Sequence, residues 1–304
     1  MTSLSGVLAP IVTPFRPADG EFDAPWMVRH LAYLRLHGCD GILACGTNGE
    51  APSLAVAERK AVLETALQAA NGMTVIAGTG AAALPDAIAL TRHAFASGVA
   101  AVLVMPPFYF KRPAEAGVAV WFQRLCDAAV PPRGRVMLYH LPQITGVPFT
   151  DGLLEILLQS HGELIYGIKD STGDPAELQR LRSHFPQLVY FVGNDRLVAE
   201  ACQAGAAGSI TAVANVFPDL VAAVQVAVRT RGDVAGCQAT LSAARDLLES
   251  YPLQPATKAA LHEAASLPIT AARPPQGELT AAQMADLATA LRACLPLWRG
   301  AAAR

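Results

Sequence analysis

A closed (β/α)8 TIM barrel with a C-terminal helical extension is the fold this sequence predicts, on three observations. Short apolar, β-branched runs alternate with longer Ala/Leu-rich segments at helical spacing. Eight such pairs can be counted before about residue 230, after which only the helical pattern continues. The strand candidates are near-continuous apolar runs, as expected of parallel strands buried on both faces. An open, doubly wound sheet is the runner-up. Eight repeats favour closure, because crossover helices can then cover the outside while the strand interiors pack together.

The strands are expected at 7–12, 41–45, 73–78, 100–105, 135–140, 164–169, 188–192 and 207–212. Helices are expected between and after them at 24–36, 55–70, 84–97, 114–129, 150–160, 175–184, 196–204 and 217–228, several opened by the Asp, Pro or Thr that helix starts favour. Residues 1–229 are thus read as the barrel. Residues 230–304 are read as an appended helical piece with helices at 232–250, 255–265 and 280–295, separated by turns at Tyr251-Pro252 and Arg273-Pro274-Pro275.

The bulk numbers agree with one large domain. A barrel commonly uses about 250 residues as a single unit, and this chain has 304, of which 52% are hydrophobic and 16% charged. The apolar residues are spread along the chain. Its longest apolar stretches fall short of the roughly 18 residues that a spanning helix needs, and its start lacks the basic-then-apolar order of a leader, so no membrane partner and a cytoplasmic location are expected. Net charge is −2 without a basic stripe, which points away from nucleic acid and towards a small-molecule ligand. The six cysteines form no Cys-x-x-Cys pair and the seven histidines are dispersed, so neither a disulfide framework nor a metal site is expected.

Lys169 is the most informative residue. The chain holds only four lysines, Lys60, Lys111, Lys169 and Lys258, and Lys169 ends the apolar run Leu-Ile-Tyr-Gly-Ile-Lys-Asp at 164–170. A lysine at a strand's carboxyl end admits two readings. It snorkels to solvent, or towards Asp170, or desolvation frees its amine to attack a carbonyl and form a Schiff base.

Barrel active sites are built at the carboxyl ends of strands, so the neighbouring ends decide between them. After the second strand comes Gly46-Thr47-Asn48-Gly49-Glu50, a glycine-flanked turn able to offer backbone N–H groups, a hydroxyl and an amide to an anion. After the fourth comes Pro106-Pro107-Phe108-Tyr109-Phe110-Lys111, and the fifth ends in Tyr139-His140-Leu141-Pro142. A carboxylate-binding turn, a phenol and an amine at one mouth suit Schiff-base chemistry on a 2-oxo acid, which needs a nucleophile, a carboxylate site and a proton shuttle but no metal or organic cofactor.

At these residues the chain resembles the dihydrodipicolinate synthase and N-acetylneuraminate lyase family of pyruvate-dependent class I aldolases. The resemblance runs from Thr13-Pro14-Phe15 through Gly46-Thr47-Asn48-Gly49-Glu50, Tyr139-His140-Leu141-Pro142 and Gly167-Ile168-Lys169-Asp170 to Gly193-Asn194-Asp195 and Gly208-Ser209-Ile210. It implies that Lys169 forms an imine with pyruvate, that Tyr139 is the acid/base, and that Thr47 relays protons between Tyr139 and a second tyrosine, here Tyr109. In relatives that tyrosine can come from a neighbouring subunit. The turn residues Gly46, Thr47 and Asn48 are read as the pyruvate carboxylate site, and the resemblance adds Ile210 as lining it and implies a homo-oligomer, a tetramer built from dimers or a dimer. Ile144 is expected at the pocket of an aldehyde or sugar-acid partner; His140 is a further candidate there, although with Tyr139 inward its side chain is expected to pack behind the site.

Two residues depart from the family pattern. Asn48 stands where a second Thr or Ser usually binds the pyruvate carboxylate, and its amide can donate instead. Ile144 stands where true synthases carry the arginine that grips the aldehyde's carboxylate, so a bidentate charge-assisted contact is missing. A sugar-acid or hydroxy-oxo-acid aldolase, or a related dehydratase, is therefore expected ahead of a 4-hydroxy-tetrahydrodipicolinate synthase with an atypical carboxylate site. A non-catalytic regulatory protein that binds a 2-oxo acid is the third reading, and such a binder needs neither Lys169 nor Tyr139. The glycine-rich turn Ala77–Ala83 imitates a dinucleotide fingerprint, but it lacks the acidic residue about 20 positions on.

Overall fold

The computed structural model describes residues 3–302. Eight parallel strands close on themselves in the order β1-β2-β3-β4-β5-β6-β7-β8. They are β1 (Gly6–Pro10), β2 (Gly41–Ala44), β3 (Thr74–Gly78), β4 (Ala101–Val104), β5 (Val136–His140), β6 (Ile165–Asp170), β7 (Val189–Val192) and β8 (Gly208–Ile210). Each matches an expected strand to within about two residues. The helices that wrap them are α1 (Ala24–Leu36), α2 (Val56–Ala69), α3 (Leu84–Ala96), α4 (Glu115–Ala129), α5 (Pro142–Thr145), α6 (Asp151–His161), α7 (Pro175–His184), α8 (Val198–Gln203) and α9 (Pro218–Thr230). After the barrel follow α10 (Val234–Glu249), α11 (Leu253–Ala265) and α12 (Ala281–Ala302). None of the described helices is long and apolar enough to cross a membrane.

Cap chemistry explains where several helices start. Asp23, Thr150, Asp174 and Asp233 accept a backbone N–H from the first turns of α1, α6, α7 and α10, and proline opens α1, α3, α7 and α9. The short α5 was not expected from the sequence. Pro142 opens its single turn and Gly146, at φ +70°, closes it in the left-handed region.

Successive side chains on a strand point to opposite faces, and the core divides accordingly. Leu8, Leu43, Ile76, Leu103, Met137, Tyr139, Phe191 and Ile210 fill the barrel interior. Their neighbours Val7, Ile42, Val75, Val102, Leu138, Ile168 and Val192 face the helices in a second cluster. That outer cluster runs on without a break into Leu241, Leu248, Leu261, Leu287 and Leu291 of α10 to α12.

The C-terminal helices also hold a loop of the barrel. Glu50 and Lys258 of α11 are both almost fully buried and meet at 2.5 Å, while the second Glu50 oxygen accepts the Arg273 backbone N–H at 2.8 Å. Glu50 sits in the left-handed region at φ +54°, a costly conformation that surrounding contacts must impose. Removing one partner of a buried pair strands the other charge, at about 3–5 kcal/mol. Lys258→Met is expected to lower unfolding free energy by about that amount in urea denaturation, and adding Glu50→Gln is expected to restore part of the loss. A loss below about 1 kcal/mol in the single variant would show that the pair does not hold the loop.

Candidate active site

The pairing of β5 with β6 brings the two central side chains together. Tyr139 is in register with Lys169 and His140 with Asp170, so the phenol and amine share the inner face while His140 and Asp170 turn outward. Lys169 and Tyr139 are each 4% exposed, and the Lys169 Nζ lies 4.3 Å from the centre of the Tyr139 ring. The Tyr139 hydroxyl is 3.3 Å from Thr47 Oγ1. Burial pushes the Tyr139 phenol up, but the Lys169 ammonium and the neighbouring Thr47 and Ser171 hydroxyls outweigh it and hold the phenol below the ordinary tyrosine value.

Why Lys169 has room is a matter of one glycine. A Cβ on Gly193, just beyond β7, would lie 1.9 Å from Ser171 Oγ and 3.0 Å from Lys169 Cε. Any side chain there would push into the amine's stem.

The turn after β2 closes the same space. Thr13 Oγ1 donates to the Gly49 carbonyl at 2.6 Å, and left-handed Cys45 and Glu50 bracket the turn. Asn48 is buried, and its Nδ2 donor has no hydrogen-bond partner among the described residues. Buried donors are nearly always satisfied. An unpartnered amide on a cavity wall is therefore a position for a ligand acceptor.

The resulting cavity, of about 340 Å³, is lined by Thr47, Asn48, Tyr139 and Lys169 together with Gln143, Ile144, Ser171, Thr172, Asn194, Arg245, Glu249 and Leu253. It can hold a small carboxylate beside an amine and a phenol. Ser171, Gly193, Arg245 and Glu249 were missed in the sequence. Ser171 and Gly193 could have been found, since each follows a strand end. Arg245 and Glu249 lie on α10 and carry no strand-end signal.

The other expected residues are distributed differently. Ile210 is fully buried in the interior cluster that also holds Tyr139 and Phe191. Gly46 lies behind the turn, on a neighbouring cavity of about 310 Å³ with Arg59 and Phe108. His140, a candidate for the second-substrate pocket, faces away from the cavity, because its neighbour Tyr139 takes the inward position. Its Nε2 lies 3.0 Å from Glu177, and its Nδ1 accepts the Phe149 N–H. Burial pushes the His140 imidazole down, against Asp170 and Glu177 nearby. Tyr109, expected beside Thr47, is 74% exposed and stacks edge-on against Phe110, itself 75% exposed. Within one chain it does not reach the Tyr139–Thr47 pair. Ile144 is more than half exposed on the cavity rim.

The chain is similar to known proteins over nearly its whole length. The sequence profile of the Dihydrodipicolinate synthetase family matches residues 3–294. An uncharacterized DapA-like lyase of Chloroflexus aurantiacus is 48% identical over 95% of this chain and 97% of its own. A 4-hydroxy-tetrahydrodipicolinate synthase of Methylococcus capsulatus is 34% identical, with 81% of each chain covered. Among solved structures, a prophage protein of the dihydrodipicolinic acid synthase family from E. coli K12, in complex with pyruvate, superposes with a TM-score of 0.89. It is 27% identical, over 96% of this chain and 99% of that one. A chloride-inhibited dihydrodipicolinate synthase from Acinetobacter baumannii, also with pyruvate, gives 0.88 at 28% identity, over 96% and 99%.

The electrostatic account of Tyr139 makes a prediction. Replacing Lys169 with Met removes the cation and leaves burial as the dominant influence. Ultraviolet difference titration, with Tyr139→Phe as the reference, is expected to find the Tyr139 phenol below the ordinary range in the parent and above it in Lys169→Met. Equal values in the two proteins would contradict the coupling.

Proposed function

The chain belongs to the dihydrodipicolinate synthetase family, and from that premise we propose that it is a class I aldolase whose Lys169 forms an imine with a 2-oxo acid. Pyruvate is its product or donor, and the partner is a sugar-acid or hydroxy-oxo-acid fragment. The observation that carries this reading is the buried, in-register pair of Lys169 and Tyr139, with Thr47 on the phenol. A protein that only bound a 2-oxo acid would need neither a nucleophile nor a proton shuttle.

In this reading the 2-oxo acid enters with its carboxylate against Asn48 Nδ2 and the turn after β2. The Lys169 amine adds to the C2 carbonyl. Tyr139, acting with Thr47, passes a proton to the oxygen, which leaves as water and yields the iminium. In cleavage the iminium nitrogen takes up the electron pair of the breaking C3–C4 bond. Tyr139 accepts the C4 hydroxyl proton, so the aldehyde leaves and an enamine remains. Protonation at C3 and addition of water release pyruvate and restore the lysine. Condensation is the same sequence reversed.

The phenol held below its ordinary pKa beside Lys169 suits this work, because the shuttle must give and take a proton at each stage. The relay is extended in the same proposal by Tyr109 of a second copy of this chain. Its exposure, together with that of Phe110, fits a side chain that completes a neighbour's site in a homodimer or a tetramer of dimers.

Enamine formation exchanges the methyl hydrogens of pyruvate with solvent, which tests the chemistry without knowledge of the aldehyde. Proton NMR in D2O is expected to show loss of the methyl signal with the parent and none above background with Lys169→Ala. Tyr139→Phe is expected to slow it by about 10²–10⁴, the usual contribution of a positioned acid/base. Unchanged exchange in Lys169→Ala would overturn the reading.

A further inference from the structure

The cavity that holds Lys169 is also lined by the charged Arg245 and Glu249, but that charge is already engaged. Arg245 Nη2 lies 2.9 Å from Glu249 Oε1 and its Nη1 3.3 Å from buried Asp195, while Nε also donates to Glu249 at 3.3 Å. Arg196 meets Asp246 at 2.5 Å and Glu249 Oε2 at 2.7 Å. Glu249 thus bridges two guanidiniums, with both oxygens occupied. Lys111, the cation nearest Ile144, is engaged in the same way, since its Nζ donates to the carbonyls of Phe108, Ile144 and Thr145 at 2.7, 3.2 and 3.2 Å.

Neutral hydrogen-bonding groups line the same cavity. Gln143 donates Nε2 to the Ser171 carbonyl at 2.7 Å and retains its Oε1 as an acceptor. Asn194 accepts from the Arg196 N–H through Oδ1 and retains its two amide donors. The Ser171 hydroxyl is buried beside the Tyr139 phenol. Ile144 and Leu253 supply apolar surface between them.

An anionic aldehyde would have to displace Glu249 from its arginines or leave its own charge against a carboxylate. A hydroxyl has neither difficulty, because it can accept from a guanidinium N–H and donate to the same carboxylate in one site. We infer that the second substrate is an uncharged polyhydroxy aldehyde, equivalently the uncharged tail of a 2-oxo-3-deoxy sugar acid, and that Arg245 and Glu249 of α10 select it against phosphorylated or carboxylated analogues. This rests on the imine chemistry proposed above and adds the substrate class. Specificity here comes from a bound carboxylate that repels the wrong partner as much as from contacts to the right one.

The test is aldol addition of pyruvate to two matched pairs, D-glyceraldehyde against its 3-phosphate and D-erythrose against its 4-phosphate. Methyl exchange of pyruvate is measured on the same preparations. The parent is expected to favour the uncharged member by at least about tenfold in kcat/KM, as a repelled charge at several ångströms would give. Glu249→Gln keeps the shape and a hydrogen-bonding end but removes the negative charge, and it is expected to lower that preference about tenfold. Circular dichroism establishes that the variant is folded. A parent that favours the phosphorylated member, a preference unmoved by Glu249→Gln, or turnover of neither pair while methyl exchange persists would each overturn the inference and leave the imine chemistry standing. Absence of methyl exchange in the parent would instead remove the proposal on which it rests.

Discussion

The in-register pairing of β5 and β6 is the constraint from which the site follows. In a closed parallel sheet each strand offers alternate residues to the interior, and neighbouring strands must agree about which. Because Tyr139 pairs with Lys169, phenol and amine enter the barrel side by side. A slip of one residue between the two strands would keep one of the pair inside and turn the other out, with His140 or Asp170 in its place. The pairs above and below secure the choice. Leu138 and Ile168 belong to the outer cluster, and Met137 belongs to the interior.

A strand end supplies direction, and buried polar contacts set the loops around it. Asp170 illustrates this. Turned outward beneath Lys169, it accepts the Tyr190 hydroxyl at 3.0 Å and both the backbone N–H and the hydroxyl of Thr172, at 2.9 and 2.8 Å. Those three donors hold the segment Ser171–Thr172 against the cavity. Burial nevertheless pushes the Asp170 carboxyl above its usual range. Glu50 does the corresponding work for the turn that carries Thr47 and Asn48, through Lys258 and the Arg273 backbone. Asp195, fully buried and paired with Arg245, ties the segment after β7 to α10. In each case a carboxylate is taken out of water, which costs stability and is offset only by well-placed donors. The helices after the barrel thereby complete the cavity, since α10 supplies part of its wall and α11 anchors the turn that carries Thr47 and Asn48.

The alternation of strands and helices was legible because it is local. Runs such as Val102–Val104 and Val189–Val192 announce buried strands, and Asp23, Thr150 and Asp174 announce helix starts. Lys169 was legible for the opposite reason, as a residue that does not belong in its run. Its pairing with Tyr139 follows from the period of two, and the same period places His140 on the other face. What the sequence could not disclose are contacts made at long separation. Arg245 and Glu249 are four residues apart on a helix and read there as an ordinary surface ion pair. Only the packing of α10 beside the segment after β7 turns them towards the cavity. Tyr109 marks a different limit, since its ring lies exposed against Phe110 rather than beside Tyr139 and Thr47.

The account stands on covalent chemistry at one nitrogen. Incubating the protein with pyruvate and sodium borohydride, followed by peptide mapping in a mass spectrometer, tests that directly. The account predicts one reduced adduct, on Lys169 alone, that is absent from Lys169→Ala. An adduct on Lys60, Lys111 or Lys258 that persists in the variant, or no adduct under conditions that trap a known relative, would contradict it.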